Sequence, residues 1–182
     1  FHAPGTVLWE FQAPGEIRTA PAVANDGTIY FGTADYKLCA LTPQGTLRWS
    51  YDAGGQLSTP SVGVDGVIYF GTGWPSNQFL ALDSGGVKRW GLSVSGGIES
   101  GPAIGFDGTI YFTAKDGKLH AVAPNGTALW EIPASNGAYQ SSPVIGPDGA
   151  IYVAAGGTDL SVPYAVGDFQ CFYPDGTLKW RF

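Results

Sequence analysis

The eight residues "DGTIYFGT" from Asp26 to Thr33 return as "DGVIYFGT" from Asp65, "DGTIYFTA" from Asp107 and "DGAIYVAA" from Asp148. The starting positions 26, 65, 107 and 148 are 39, 42 and 41 residues apart. Tryptophans at 9, 49, 90, 130 and 180 keep nearly the same step, at 40, 41, 40 and 50. Two independent markers on one period of about 40 residues define an array of supersecondary units. A unit this small cannot bury its own apolar surface and is stable only when stacked on its neighbours.

Each unit reads as four short strands. A Pro-led run such as "PAVAND" from Pro21 is the first, and "TIYFGT" is the second. The Asp-Gly dipeptide between them predicts a two-residue hairpin turn, because Gly accepts positive φ. "KLCAL" (Lys37–Leu41) is the third strand and "TLRWSY" (Thr46–Tyr51) the fourth. No stretch shows helical periodicity. In the second strand Ile29, Tyr30 and Phe31 are consecutive apolar or aromatic residues, as are Ile68, Tyr69 and Phe70. A sheet with one wet face would alternate, so both faces must be covered. Small four-stranded sheets covered on both sides are the blades of a β-propeller. The expected fold is therefore all-β, a propeller of four-stranded antiparallel blades. The boundaries are 13–52, 53–92, 93–133 and 134–182, preceded at 1–12 by the outer strand of an earlier blade. Four blades and a stray strand predict an arc of a larger ring of seven or eight blades, or two halves pairing, because end faces of an open arc would expose apolar surface.

Composition agrees and excludes some functions. Gly is 28 of 182 residues, about twice its usual share of ~7%, and Pro adds 13. Tight turns are implied and long helices are not. The formal net charge of −6 repels phosphate and argues against nucleic-acid binding. No run approaches the ~18 apolar residues of a membrane-spanning helix, and no signal peptide is visible. The chain opens at Phe1 and has no Met, so a processed or excised piece is expected. Cys39 and Cys171 fall at different register positions three blades apart, which argues against a disulfide between them.

The phrase "ALTPQGTLRW" (Ala40–Trp49) recurs as "ALDSGGVKRW" (Ala81–Trp90), "AVAPNGTALW" (Ala121–Trp130) and "CFYPDGTLKW" (Cys171–Trp180). Over essentially the whole chain this resembles the tryptophan-docking repeat of the PQQ-like, quinoprotein alcohol dehydrogenase-like β-propellers. In style it is closest to the non-enzymatic, BamB-like repeat proteins of outer-membrane assembly. The resemblance implies that Trp9, Trp49, Trp90, Trp130 and Trp180 dock on the backbone of a neighbouring blade. A Trp so placed is a large apolar payload with one N–H to satisfy. The resemblance also implies a bacterial periplasmic, envelope or extracellular setting. It is specific for fold and weak for function.

Repeated positions are scaffold, so function is sought where the copies disagree. From the second-strand Tyr to the third-strand Ala position the distances are 10 (30 to 40), 12 (69 to 81), 10 (111 to 121) and 19 (152 to 171). Blades 2 and 4 thus carry insertions between their second and third strands, on one shared end of the blades, where function concentrates. Trp74 is the one Trp outside the repeat register and, with Tyr164 in the blade 4 insertion, is a candidate partner anchor. Capping of a blade edge is the equally weighted alternative. Before each first strand come "EIRTAP", "QLSTP", "IESGP" and "YQSSP". Thr19, Ser58, Ser100 and Ser141 are shared there, whereas Arg18, Glu99 and Gln140 differ and are candidates to read a ligand at the channel mouth. Solvated charge is the simpler reading of Arg18 and Glu99.

Catalytic chemistry is sparse. Quinoprotein dehydrogenases hold PQQ with Ca²⁺, a catalytic Asp and often adjacent cysteines, and this chain has no Cys-Cys pair. Its docking phrase is one residue shorter than the dehydrogenase pattern, and only blade 2 keeps the Asp, as Asp83. Asp26, Asp65, Asp107 and Asp148 repeat with the hairpins and read as turn formers rather than ligands. His2 is terminal, His120 reads as a structural histidine, and Asn125 heads a glycosylation sequon that doubles as a turn. No catalytic residue, metal ligand or cofactor is predicted. The leading expectation is a binding or assembly scaffold with a protein or peptide partner. The alternatives are part of a PQQ-dependent oxidoreductase and an extracellular sensor domain.

Overall fold

The computed structural model describes residues 5–134, 139–156 and 167–182, with residues 139, 140, 155 and 156 described through their backbone alone. Its elements are all strands, in four antiparallel sheets that follow the repeat. Blade 1 is β1 (Ala22–Val23), β2 (Ile29–Gly32), β3 (Lys37–Leu41) and β4 (Leu47–Asp52). Blade 2 is β5 (Ser61–Val62), β6 (Ile68–Gly71), β7 (Gln78–Leu82) and β8 (Lys88–Ser93). Blade 3 is β9 (Ala103–Ile104), β10 (Ile110–Thr113), β11 (Lys118–Val122) and β12 (Ala128–Pro133). In blade 4 the inner strand is split into β13 (Tyr139–Gln140) and β14 (Val144–Ile145), both paired with β15 (Ile151–Gly156), and β16 (Gly167–Phe172) and β17 (Leu178–Arg181) follow. Residues 5–12, read as an outer strand, form no ladder among the described residues.

Burial follows the strand's place in its blade. The middle strands β6, β7, β10 and β11 are buried almost without interruption, whereas the outer strands β4, β8 and β12 alternate. Consecutive side chains of a middle strand point to opposite seams. Tyr30, Leu38 and Ala40 of blade 1 pack with Ile68, Phe70, Leu80 and Leu82 of blade 2. Tyr69, Phe79 and Ala81 of blade 2 then pack with Ile110, Phe112 and Val122 of blade 3. Tyr111, Leu119 and Ala121 meet Ile151, Val153 and Phe172 of blade 4 in turn. The core is therefore a series of seams between sheets.

The Tyr, Ala and Trp of each unit lie side by side across three strands: Tyr30 pairs Ala40, which pairs Trp49. The small Ala between them lets the rings meet at 5.7 Å, and the same pair recurs at 5.9 Å for Tyr69–Trp90 and 5.8 Å for Tyr111–Trp130. From there each indole crosses the seam. Trp49 Nε1 donates to the Ser84 carbonyl at 3.0 Å, Trp90 to Pro124 at 2.9 Å, Trp130 to Pro174 at 3.1 Å and Trp9 to Pro43 at 3.0 Å. The ring lies flat on a turn glycine of that next blade. At Gly86 φ is +83° and a Cβ would stand 2.8 Å from Trp49 Cδ2, so both backbone and packing require Gly. The indoles are partly exposed rather than buried outright, with only the docked face and the N–H covered.

The hairpins differ from the two-residue turn the sequence suggests. Gly27 N–H donates to the Ala24 carbonyl and Ala24 N–H to the Thr28 carbonyl, both at 2.9 Å, so the loop is Asn25-Asp26-Gly27. This is a three-residue loop with Gly27 at φ +81°, the pattern of a turn closed by a left-handed glycine bulge. The β3–β4 hairpin repeats it, with Gly45 N–H on Thr42 and Thr42 N–H on Thr46. Pro43 lies under Gly27, so both hairpins of a blade share one end. The β2–β3 loops occupy the other.

The arc's two outward faces are not covered like its seams. On blade 1, Trp9, Phe11, Ile17, Ile29, Phe31 and Leu41 line an apolar groove of about 870 Å³. On blade 4, Tyr152, Phe169 and Trp180 stack on one another, with Phe169 42% and Trp180 41% exposed. Truncating a docked indole removes packing on both sides of a seam. Trp90→Ala is expected to destabilise the chain by about 3 kcal/mol in urea unfolding, and Trp180→Ala by about 1 kcal/mol.

Candidate functional site

The segments that enter each blade meet the β2–β3 loops. Ala34 N–H donates to Glu16 at 2.8 Å, Gly73 to Gln56 at 2.6 Å and Lys115 to Gly97 at 2.9 Å, all to backbone carbonyls. Arg18, Trp74 and Glu99 consequently sit on the same end of three successive blades. No contact joins them to one another. Gln140 is placed by its backbone in β13, opposite Ala155 of β15. Tyr164 lies outside the described residues.

The shared hydroxyls on these segments have a structural task. Thr19 Oγ1 accepts the Gly32 N–H at 2.8 Å, Ser58 Oγ that of Gly71 at 2.9 Å, Ser100 Oγ that of Thr113 at 3.1 Å and Ser141 Oγ that of Ala154 at 3.0 Å. Each caps a second strand where the inner strand's ladder is interrupted. The interruption places a nearby apolar residue at the seam: Leu57, just before Ser58, lies against Gly32, and Ile98, two residues before Ser100, lies against Gly71, where a side chain on either glycine would collide. Repetition of Ser or Thr is thus explained by backbone satisfaction.

Of the residues that differ, Arg18 and Glu99 are exposed. Arg18 bonds Glu16 at 2.9 Å and Glu99 pairs with Lys115 at 2.6 Å, with all four side chains about half exposed or more. Both are local ion pairs of the surface kind. Trp74 is 77% exposed on the loop Thr72–Asn77, which is anchored by Ser76 and Asn77 N–H groups on the Gly73 carbonyl at 3.1 Å. The loop's own backbone bonds thus hold a large aromatic side chain out toward solvent.

The four hairpin aspartates are engaged within their own turns. Oδ1 of Asp26, Asp65, Asp107 and Asp148 accepts the N–H two residues on, at 2.9, 3.2, 3.0 and 3.2 Å. Asp83 does the same for Gly85 and Val87, and Asn125 for Thr127. Among the described residues no three His, Cys, Asp or Glu groups come together as a metal site. Cys39 and Cys171 are free and buried, Cys39 beside Phe31 and Leu41 on the outward side of blade 1.

His120 is built into a seam. Its ring stacks on Phe112 at 4.8 Å and 7°, and Phe112 stacks on Phe79 of blade 2 at 4.1 Å. Nε2 faces Asp116 at 3.1 Å and Nδ1 faces Glu131 at 3.6 Å, while Lys118 pairs with Glu131. Nε2 thus has a hydrogen-bond partner in Asp116, whereas Glu131 stands beside Nδ1 beyond hydrogen-bond distance. The sequence carried no sign of the Asp116 and Glu131 partners, because they come from a loop and a neighbouring strand.

Known proteins place this geometry. The sequence profile of the family described as outer membrane protein assembly factor BamB matches residues 2–97 and 77–181. No curated protein sequence matches. BamB from Moraxella catarrhalis superposes with a TM-score of 0.69 at 20% identity, covering 98% of this chain and 65% of that one. A protein of unknown function from Bacteroides caccae gives 0.67 at 16%, covering 94% and 62%. A streptogramin B lyase gives 0.74 at 18%, covering 93% and 55%. The chain thus spans less than two thirds of the length of each of these structures, and at these identities they establish the fold alone.

The ion pair on Asp148 makes stability pH-dependent. The Lys179 ammonium at 3.0 Å, then the Ala150 N–H, hold Asp148 below the ordinary carboxylate range. A depressed folded pKa contributes stability that is present above the unfolded value and lost as pH falls through the folded one. Asp148→Asn is expected to flatten the loss of urea stability as pH falls below about 4, with little change near neutrality.

Proposed function

The chain belongs to the family of PQQ-like β-propeller repeat proteins that carries the name of the outer-membrane assembly factor BamB, and on that premise we propose that it is a non-catalytic binding scaffold for a protein or peptide partner. The observation that carries this reading is the end of the arc bearing the inserted loops. There Trp74 is held out at 77% exposure, flanked on neighbouring blades by the unlike charges of Arg18 and Glu99. Aromatic and Arg side chains on a rigid frame are the usual anchors of protein interfaces. The same premise supports a bacterial periplasm, envelope or extracellular space as its setting. No helix of the described structure is long and apolar enough to cross a membrane.

We also place further blades of the same kind against the two outward faces. The open indole of Trp180 and the apolar groove of blade 1 are the two halves of the contact that every internal seam makes. A ring of seven or eight blades satisfies both.

Two measurements on the full chain test the scaffold reading. In the first, envelope extract is passed over immobilised chain, with a defined protein expected to be retained and its binding expected to fall at least tenfold on Trp74→Ala. Because Trp74 is exposed, the same variant should unfold within ~0.5 kcal/mol of the parent. The second adds PQQ and Ca²⁺. The scaffold reading predicts neither bound-quinone absorbance nor dye reduction, and either signal overturns it in favour of an oxidoreductase.

A further inference from the structure

The opposite end of the blades also departs from the repeat. The residue before each hairpin Asp is Asn25, Val64, Phe106 and Pro147 in blades 1 to 4. Val64 is 96% exposed and Phe106 84%. The turn does not require them, since Asn25 serves the same loop in blade 1. Between the β5–β6 and β9–β10 turns they line a cleft of about 490 Å³ together with Tyr69, Ile104, Pro124 and Asp65, the last paired with Arg89.

The charge beside this cleft departs from the repeat as well. In blades 1, 2 and 4 the bulged residue of the outer strand is basic and faces the hairpin Asp: Arg48–Asp26 at 3.4 Å, Arg89–Asp65 at 3.6 Å and Lys179–Asp148 at 3.0 Å. In blade 3 the bulge position holds Leu129, which is 51% exposed. Asp107 has no cationic partner among the described residues and takes only the N–H and hydroxyl of Thr109, at 3.0 and 2.9 Å. An exposed apolar cleft thus adjoins Asp107, which among the described residues is the one of the four inner-hairpin aspartates (Asp26, Asp65, Asp107 and Asp148) without a countercharge. The match for that combination is an apolar side chain next to a cation.

We propose that this cleft is a second docking site, for an extended segment of a partner protein that inserts an aliphatic or aromatic side chain between Val64 and Phe106 and sets a Lys or Arg against Asp107. The inference rests on the scaffold reading but concerns the other end of the molecule, so the two can fail separately.

The test pans a random twelve-residue phage-displayed peptide library on the full chain and measures the selected peptides by fluorescence polarisation. Four proteins are compared: the parent, a Val64→Asn/Phe106→Asn double variant, Asp107→Asn and Trp74→Ala. Asn is the chain's own residue at this position in blade 1, and thermal melts verify that each variant folds. The expected peptides share an apolar residue beside Lys or Arg. Their affinity should fall at least tenfold on the double variant and about threefold on Asp107→Asn, with no change on Trp74→Ala. The proposal is overturned if no peptide is selected, if the peptides lack a basic residue, or if they bind the double variant like the parent. Peptides lost only on Trp74→Ala also overturn it while leaving the scaffold reading intact. Sedimentation covers the remaining occupant: self-association abolished by the double variant would mean that a second copy fills the cleft, and that too overturns the proposal.

Discussion

A sheet apolar on both faces has no stable existence alone, and the structure follows from that constraint. Four short strands cannot enclose a core, so each blade must give one face to the sheet before it and one to the sheet after it. The contact that fixes this stacking is the indole crossing each seam. Its ring packs on the Tyr of its own blade and on a turn glycine of the next, and its N–H closes on a backbone carbonyl there. One residue therefore couples the outer strand of one unit to the hairpin of its neighbour. The turn must bring Gly to positive φ at that spot, and the strand before the Trp must bulge to aim it. The bulge in turn frees the preceding side chain to meet the hairpin Asp. Trp, Gly, bulge and Asp recur together because they are parts of one joint.

Most of this joint is written in the sequence. The period identifies the blades, and consecutive apolar residues at Ile29–Phe31 show that both faces are covered. The repeated Asp-Gly pairs locate the turns, although not their type. Residues 25–27 form a three-residue loop because the left-handed glycine follows a tight turn, which the dipeptide alone does not distinguish from a two-residue hairpin. Residues 5–12 read as a strand from the Trp9 phrase, yet a strand needs a ladder partner, and what they retain is the docked indole. The roles of Thr19, Ser58, Ser100 and Ser141 were also hidden. Their hydroxyls satisfy N–H groups thirteen residues away, a pairing visible only once the inner strand is seen to break.

The candidate sites divide along the same line. Trp74 is legible as a residue out of register, and the structure holds it exposed. Arg18 and Glu99 were legible as disagreements between blades, but their local partners Glu16 and Lys115 depend on side-chain reach. The apolar pair Val64 and Phe106 was overlooked because a residue next to an Asp-Gly turn reads as part of the turn. Its signal was the substitution of Leu129 for a basic residue sixty-five positions after Val64 in the chain, and the link between the two appears only when the bulge is placed beside the hairpin. The repeat thus supplies a rigid frame, and the two ends of that frame carry the residues free to vary.

The claim that indole docking holds the blades together is tested most directly by hydrogen exchange of the six indole N–H groups, resolved by NMR. The account predicts slow exchange at Trp49, Trp90 and Trp130, whose N–H groups are bonded across internal seams, and fast exchange at Trp74 on its exposed loop. Equal exchange at Trp74 and the three seam residues would contradict it.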